Sequence, residues 1–218
     1  MVLRKKSILL IMVFLIGCFV CACGKEKSVV GETLVEDTKE VSSTEETKSV
    51  EEEAAEQWEK GYGLPVDEQE EKEAANDCKK MMELIFDIYK DADKGTASNV
   101  VLNDETVLEM QKQLMETGCP VATLVTYSNM ENYESVDSYL ENCAAGERGS
   151  VVVYEIHSDG GIGRIKYIYD GTDMYVVSAG SVWNKNGKSG MSYISYTRIK
   201  EWKYTDKGWF CYELCVPE

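Results

Sequence analysis

The sequence predicts an α+β domain, with N-terminal helices packed on one face of a curved antiparallel β-meander. Three observations support this. Apolar residues between Ala74 and Ala92 recur at helical spacing. From Ser150 onward the pattern alternates with the two-residue period of strands. The turns between the alternating runs are too short for a crossover, so neighbouring strands run antiparallel.

In chain order, the first helix has the best-defined start. Asp67 is placed as its N-cap, with Glu70 at capping-box spacing. Ala74, Cys78, Met81, Ile85, Ile88 and Ala92 form one face, Met82 and Tyr89 widen it, and Gly95 supplies the stop. A second helix is expected from about Asp104 to Thr117, with Val107, Leu108, Met110 and Leu114 inward and Gly118 and Pro120 ending it. A short strand follows at Val121 to Tyr127. A third helix, Tyr133 to Ala145, carries Val136, Tyr139, Leu140 and Cys143 and stops at Gly146. Five strands complete the domain: Ser150–His157, Ile162–Tyr169, Asp173–Val182, Met191–Tyr204 and Gly208–Val216. Asp159-Gly160-Gly161, Asp170-Gly171, Asn184 to Gly190 and Asp206-Lys207-Gly208 turn between them. This order resembles a cone-shaped nuclear-transport-factor-2-like (NTF2-like) domain, with a cystatin-like wrap as the alternative. Such an analogy concerns fold alone. No repeat of solenoid period is present.

The N-terminus carries an address. Arg4, Lys5 and Lys6 precede an apolar run of 12 residues, Ile8 to Phe19, followed by Val20-Cys21-Ala22-Cys23. A basic start, a short apolar core and a small residue before the cleavage point describe an export signal. A cysteine just after that point describes a bacterial lipoprotein, with residues 1–22 as signal peptide and Cys23 as the acylated residue. Leu15-Ile16-Gly17-Cys18 fits the same pattern, which makes Cys18 the alternative; Cys23 is preferred because a polar tract starts directly after it. The apolar core falls short of the roughly 20 residues that span a bilayer, so an uncleaved single-span anchor is the weaker reading. Two or more acyl chains hold a protein stably on a membrane. The expected location is the extracytoplasmic face of the bacterial cell membrane.

Residues 23–60 form an acidic tether in this reading, and residues 61–218 a single domain. From Gly24 to Lys60, twelve acids face five bases and large apolar residues are scarce, a composition expected to stay disordered. Such a chain reaches about 35 Å and more when its charges repel. It reads as a spacer, with an acidic docking tail as the sharper alternative. Trp58, Tyr62, Leu64 and Pro65 are expected to pack onto the domain at its start.

The net charge of −16 argues against nucleic acid as a partner, because phosphate contact needs a basic face. The mature domain holds Cys78, Cys119, Cys143, Cys211 and Cys215, an odd number that excludes a complete disulfide framework. Cys211 and Cys215 lie on one strand, about 13 Å apart, too far to bridge or to share a metal. Cys119 or Cys143 paired with Cys211 or Cys215 stays open. With His157 as the only histidine, no zinc site and no cofactor are expected. His157, Ser158 and Asp159 are neighbours in sequence and cannot converge as a triad. Gly160-Gly161-Ile162-Gly163 joins two strands and lacks the following helix that phosphate cradling needs.

One constellation remains. Alternation places Glu155 with His157, Arg164 with Lys166, Arg198 with Lys200, and Cys211 with Glu213. If those faces coincide, Arg164, Lys166, Arg198 and Lys200 make a basic groove for an anionic ligand, beside Glu155 and Glu213. The competing reading is a solvated sheet face with ordinary cross-strand pairs. The opposite face would hold Val152, Tyr154, Ile156, Tyr167, Tyr169, Phe210, Tyr212 and Leu214 as core. Trp183, Tyr193, Tyr196, Trp202 and Trp209 cluster late in the chain; aromatics there pack on neighbours or, exposed in a row, stack sugars.

The stretches Lys60-Gly61-Tyr62-Gly63-Leu64-Pro65-Val66, Val153-Tyr154-Glu155-Ile156-His157-Ser158-Asp159-Gly160-Gly161, and Lys200-Glu201-Trp202-Lys203-Tyr204 through Gly208-Trp209-Phe210-Cys211-Tyr212 carry a resemblance. They are similar to an uncharacterised lipoprotein family of Gram-positive gut anaerobes, built on a domain of unknown function. The resemblance spans most of the mature chain. It implies a lipoprotein of a single-membrane cell and assigns no activity and no functional residue. Ending at Pro217-Glu218 directly after a strand, the chain fits a shortened member.

These readings converge on a non-enzymatic surface lipoprotein whose domain binds a ligand or partner in the cell envelope. The rival is an envelope enzyme in which His157, with Asp159, Asp170 or a tyrosine, does acid/base work in a cone-like pocket. A purely structural spacer is the third reading. The setting of His157 separates the first two.

Overall fold

The computed structural model describes residues 50–96, 98–184 and 186–217. The expected signal peptide, Cys18, Cys23 and the tether up to residue 49 lie outside the described residues.

Regular structure begins before the expected boundary at Gly61. Helix α1 (Val50–Lys60) occupies the end of the stretch expected to be irregular. Its glutamate-rich start suits the positive end of a helix, alanine and glutamine favour helix, and Lys60 pairs with Glu56 one turn back at 2.7 Å. Trp58 then docks edge-on against Tyr175 and Tyr196, at 6.1 and 5.8 Å between ring centres. Gly61 ends α1 in the left-handed region at φ +76°, and its carbonyl accepts from Arg198 N at 2.7 Å. A Cβ there would sit 2.9 Å from Cys215 Sγ and 3.0 Å from Arg198 Nε. Leu64 N donates to Tyr196 O at 3.0 Å and the Leu64 side chain is buried. The segment after α1 is thereby sewn to a strand of the sheet.

Helix α2 (Glu68–Leu84) is capped as expected: Asp67 accepts from Gln69 N and Glu70 N, both at 2.9 Å. Its inward face is Ala74, Cys78, Met81 and Met82. The single helix expected through Ala92 is two. The backbone breaks at Ile85 (φ −100°, ψ 4°), and α3 (Phe86–Asp91) follows with Tyr89 buried. No proline or glycine marks the break, which is why the pattern did not reveal it. Helix α4 (Asp104–Met115) starts on Asn103, which accepts from Thr106 N at 2.8 Å. Val107, Met110 and Leu114 are buried; Leu108, expected inward, is 39 % exposed, and its place is taken by Gln111. Gln111 Nε2 donates to Val121 O at 2.9 Å and Asn129 O at 2.7 Å, which is how a buried amide is tolerated there.

The expected strand at Val121 to Tyr127 contracts to β1 (Val121–Thr123). After α5 (Glu134–Ala144) come β2 (Gly149–Ile156), β3 (Ile162–Tyr169), β4 (Met174–Trp183), β5 (Ser189–Tyr204) and β6 (Phe210–Leu214). The six strands lie in sequence order in one sheet that curls into a half-barrel. β2 to β6 pair antiparallel as expected, whereas β1 joins β2 in parallel, so the sheet is mixed. The cause is α5: a helix between two strands returns the chain in the same direction. The result is an α+β fold compatible with the NTF2-like expectation.

Helices cover both faces of the sheet. Register puts Tyr154, Arg164, Ala179 and Ile194 side by side on one face. Ala74 and Cys78 of α2 pack there against Ala179, and α2 to α4 enclose Tyr154, Ile156 and Ile162. The other face gathers Val153, Ile165, Tyr167, Tyr169, Val176 and Phe210 against Val136, Tyr139, Leu140 and Cys143 of α5. The expected single core face is thus divided: Tyr154 and Ile156 belong to the α2 side, Tyr167, Tyr169 and Phe210 to the α5 side.

Candidate functional site

Arg164, Lys166, Arg198 and Lys200 do not line one open groove. Arg164 is 0 % exposed, held from α2 by Glu70 Oε1 at 2.8 Å, Asp77 Oδ2 at 2.9 Å and Glu73 Oε1 at 3.3 Å. Lys166 donates to Glu70 Oε2 at 2.5 Å. Burial would raise the Glu70 carboxyl, but Lys166 and Arg164 outweigh it and hold the group below its ordinary value. Glu70 sits at the capping-box position yet turns to the sheet. Arg198 donates to Glu59 O at 3.2 Å, under α1. Lys200 pairs with Glu213 at 2.8 Å in solvent. The positive charge on this face is committed to the chain's own acids and carbonyls.

The expected partners Glu155 and His157 face the other way. Glu155 lies opposite Gly163, and Gly163 opposite Gly180, on the α5 side of the sheet. Glu155 is 6 % exposed, and the His157 imidazole stands 3.4 Å from Oε1 through Nε2. Hydrogen bonding to Glu155 raises the His157 pKa above its ordinary value; burial opposes this, and the charges of Glu155 and Asp159 add to the rise. Two glycines remove side chains beside this couple. His157 Nε2 lies 3.1 Å from where a Gly163 Cβ would be, and the Tyr193 ring lies across Gly180. The hydroxyls of Tyr167 and Tyr212 meet at 3.3 Å on the same face, and Glu155 contributes to raising both, after burial. A nearly buried carboxylate with an imidazole beside it can hold and pass a proton. His157 keeps a side-chain exposure of 31 %, between the buried and strand-end settings that would separate enzyme from binding domain.

At the far end of the α2 side, α3, the segment that follows it and the β4 end form a cleft of ≈ 540 Å³. Tyr89, Lys94, Asn99, Asp159, Trp183 and Asn184 are among its walls. Tyr89 stacks on Trp183 at 4.6 Å and 15°, and Trp183 Nε1 donates to Gly160 O at 2.9 Å. Across Trp183 a second cleft of ≈ 370 Å³ is bounded by Phe86, Lys79, Glu83 and Lys188.

Residues 71–218 match the family described as "Family of unknown function (DUF6070)". The chain belongs to that family. No curated protein and no solved structure matches it. The DUF6070 match includes the sheet, the Glu155–His157 couple and both clefts, and begins inside α2 after Asp67 and Glu70. Among the described residues no helix is long and apolar enough to cross a membrane. The five domain cysteines are free thiols, with Cys78 and Cys143 buried and Cys211 exposed.

The alternation puts Glu155 and His157 on one face of their strand, as observed, but the condition that this face coincide with that of Arg164 is not met: Arg164 lies opposite Tyr154. Sequence reasoning missed the α2 acids as the partners of Arg164, although Glu70, Glu73 and Asp77 share a helical edge with Ala74 and Cys78. Of the walls of the first cleft it named Trp183 and Asp159 as candidates for chemistry or binding, and placed Tyr89 on a helix face and Asn184 in a turn. Tyr89 comes from α3 and Asn99 from the segment between α3 and α4, and no local pattern announced that they meet.

Proposed function

We propose that the chain is a lipid-anchored lipoprotein whose α+β domain binds a ligand or a partner at the extracytoplasmic face of a bacterial cell membrane. The observation that carries this reading is the leader: Arg4 to Lys6, the apolar run Ile8 to Phe19, and Ala22 before Cys23. The resemblance of three stretches to lipoproteins of Gram-positive gut anaerobes supports the same address. The acidic stretch after Cys23 suits a spacer above an anionic surface. Expressed in a Gram-positive host with radiolabelled palmitate, the chain is expected to take up label and stay with membranes, while Cys23→Ala loses both. Unchanged labelling of Cys23→Ala would reject the site, and Cys18→Ala then tests the alternative.

A second reading is favoured by one contact. The Glu155–His157 couple, at 3.4 Å on the α5 side, offers a base beside a buried acid. An envelope enzyme using it would lose turnover in His157→Gln with the fold intact. A broad screen of hydrolase and isomerase substrates that finds no activity above the His157→Gln background speaks for the binding domain.

A further inference from the structure

Trp183 stands as a wall between two clefts. On one side the order is Lys94 Nζ, 4.6 Å from the centre of the Tyr89 ring, then Tyr89 stacked on the indole. On the other side Phe86 lies at 5.8 Å and tilts 50° from the indole, in contact with it, so the indole has a ring on each side. Phe86 is 39 % exposed and borders the second cleft. Both clefts include Trp183 and Gly187, so they adjoin across the indole.

Their polar lining is nearly balanced in charge, on a chain of net −16. Lys94 donates to Tyr89 O at 2.6 Å, Lys90 O at 3.1 Å and Ala92 O at 3.3 Å, and so closes the end of α3. Lys79 faces Glu83 at 3.8 Å. Asp159 accepts from Gly161 N at 2.8 Å. Asn99, Ser98 and Asn184 supply amide and hydroxyl groups around the aromatic floor. Aromatic surface for one face of a ligand, neutral hydrogen-bonding groups for its edges, and no concentrated charge match the chemistry of a sugar ring.

We propose that the paired clefts at Trp183 bind an uncharged oligosaccharide. The exposed face of Phe86, backed by Trp183, receives the C–H face of one ring, and the Asn99 amide and Asn184 Nδ2 meet the hydroxyls of the next, Asn184 Oδ1 being held by Asn186 N and Lys188 N. The inference gives a site to the binding reading and does not depend on the anchor.

The test uses the full chain purified in detergent, titrated with cellotetraose, maltotetraose and chitotetraose while tryptophan emission is followed. At least one probe is expected to change the emission saturably. Phe86→Ala is expected to weaken that binding about tenfold and Asn99→Ala about threefold or more. Both side chains lie at the rim, and circular dichroism confirms that each variant is folded; Asn99→Ala alone decides if Phe86→Ala is not. No saturable response up to about 10 mM of any probe overturns the proposal. So does an affinity unchanged in both variants, or a response confined to the acidic probe tetragalacturonate. A flat titration leaves palmitate labelling at Cys23 intact, and lost labelling leaves the titration intact, so the two failures are told apart.

Discussion

The two faces of the sheet are held by different physics, and β3 contributes to both. Its even-numbered residues Arg164 and Lys166 meet the Glu70, Glu73 and Asp77 carboxylates of α2. Its odd-numbered residues Ile165, Tyr167 and Tyr169 enter the aromatic core under α5, where Tyr167 meets Phe210 edge-on at 5.5 Å. One strand therefore carries an ionic seam and an apolar seam a single residue apart. An apolar and basic alternation is the usual mark of one buried and one wet face. Here the basic face is covered too, because the covering helix brings matching acids. A buried ion cluster adds little net stability when intact but is costly to break, whereas an aromatic seam loses packing in proportion to what is removed.

The largest expected effect tests the apolar seam. Phe210→Ala should cost about 4 kcal/mol, from lost transfer energy and the cavity left under α5. Denaturant melts would show it as a lower midpoint at unchanged slope. A loss below about 1 kcal/mol would mean that Phe210 is not in the core it is placed in.

Arg164→Met tests the ionic seam and should cost about 3 kcal/mol, because three acids keep their positions and lose their buried partner. Replacing Glu70, Glu73 and Asp77 together with Gln in the Arg164→Met background should recover part of that loss. No recovery would show that Arg164 contributes by packing alone.

Acid separates the two seams. The folded Glu70 carboxyl lies below its ordinary 4.5, so its contribution is present above that value and is lost as pH falls through the folded value. Melting temperature followed from about pH 6 to pH 3 should therefore fall in the parent and in Phe210→Ala alike, and fall less steeply in Arg164→Met. Parallel curves for all three would remove Arg164 from the cause. His157 has the opposite sign: its raised value gives stability that is complete below 6.5 and declines as pH rises through the folded value. Because the imidazole is partly exposed, that decline should be small, and it should vanish in His157→Gln.

Gly61→Ala is the smallest of these, at about 1 to 2 kcal/mol, since alanine would have to adopt φ +76° with its methyl against Cys215 and Arg198. Limited proteolysis should then cut within residues 50–60 faster than in the parent, while the sheet stays resistant. Unchanged cleavage would show that α1 is held by Trp58 alone.

Much of this architecture could be read from the chain. Asp67 capped its helix as its position predicted, the inward residues of α5 were correct, and β3 matched residue for residue. These elements carry their signals locally, in a cap, a helical stripe and an alternation. What could not be read depended on distant partners. Helix α1 was hidden because acidic composition argues for disorder until Trp58 finds Tyr175 and Tyr196, more than a hundred residues away. The break at Ile85 has no local breaker. The faces of β2 and β3 needed the register, which pairs Glu155 with Gly163 and leaves Arg164 opposite Tyr154. The cleft at Trp183 combines α3 and the segment after it with the end of a strand, and neither alone has a signature.

The joint at Gly61 also sets a mechanical order. Any tug arriving from the N-terminal side passes through the Trp58 contact and the Gly61–Arg198 hydrogen bond before it can strain the sheet. Helix α1 would peel away first, as a fuse, and the body behind it would keep its shape under load.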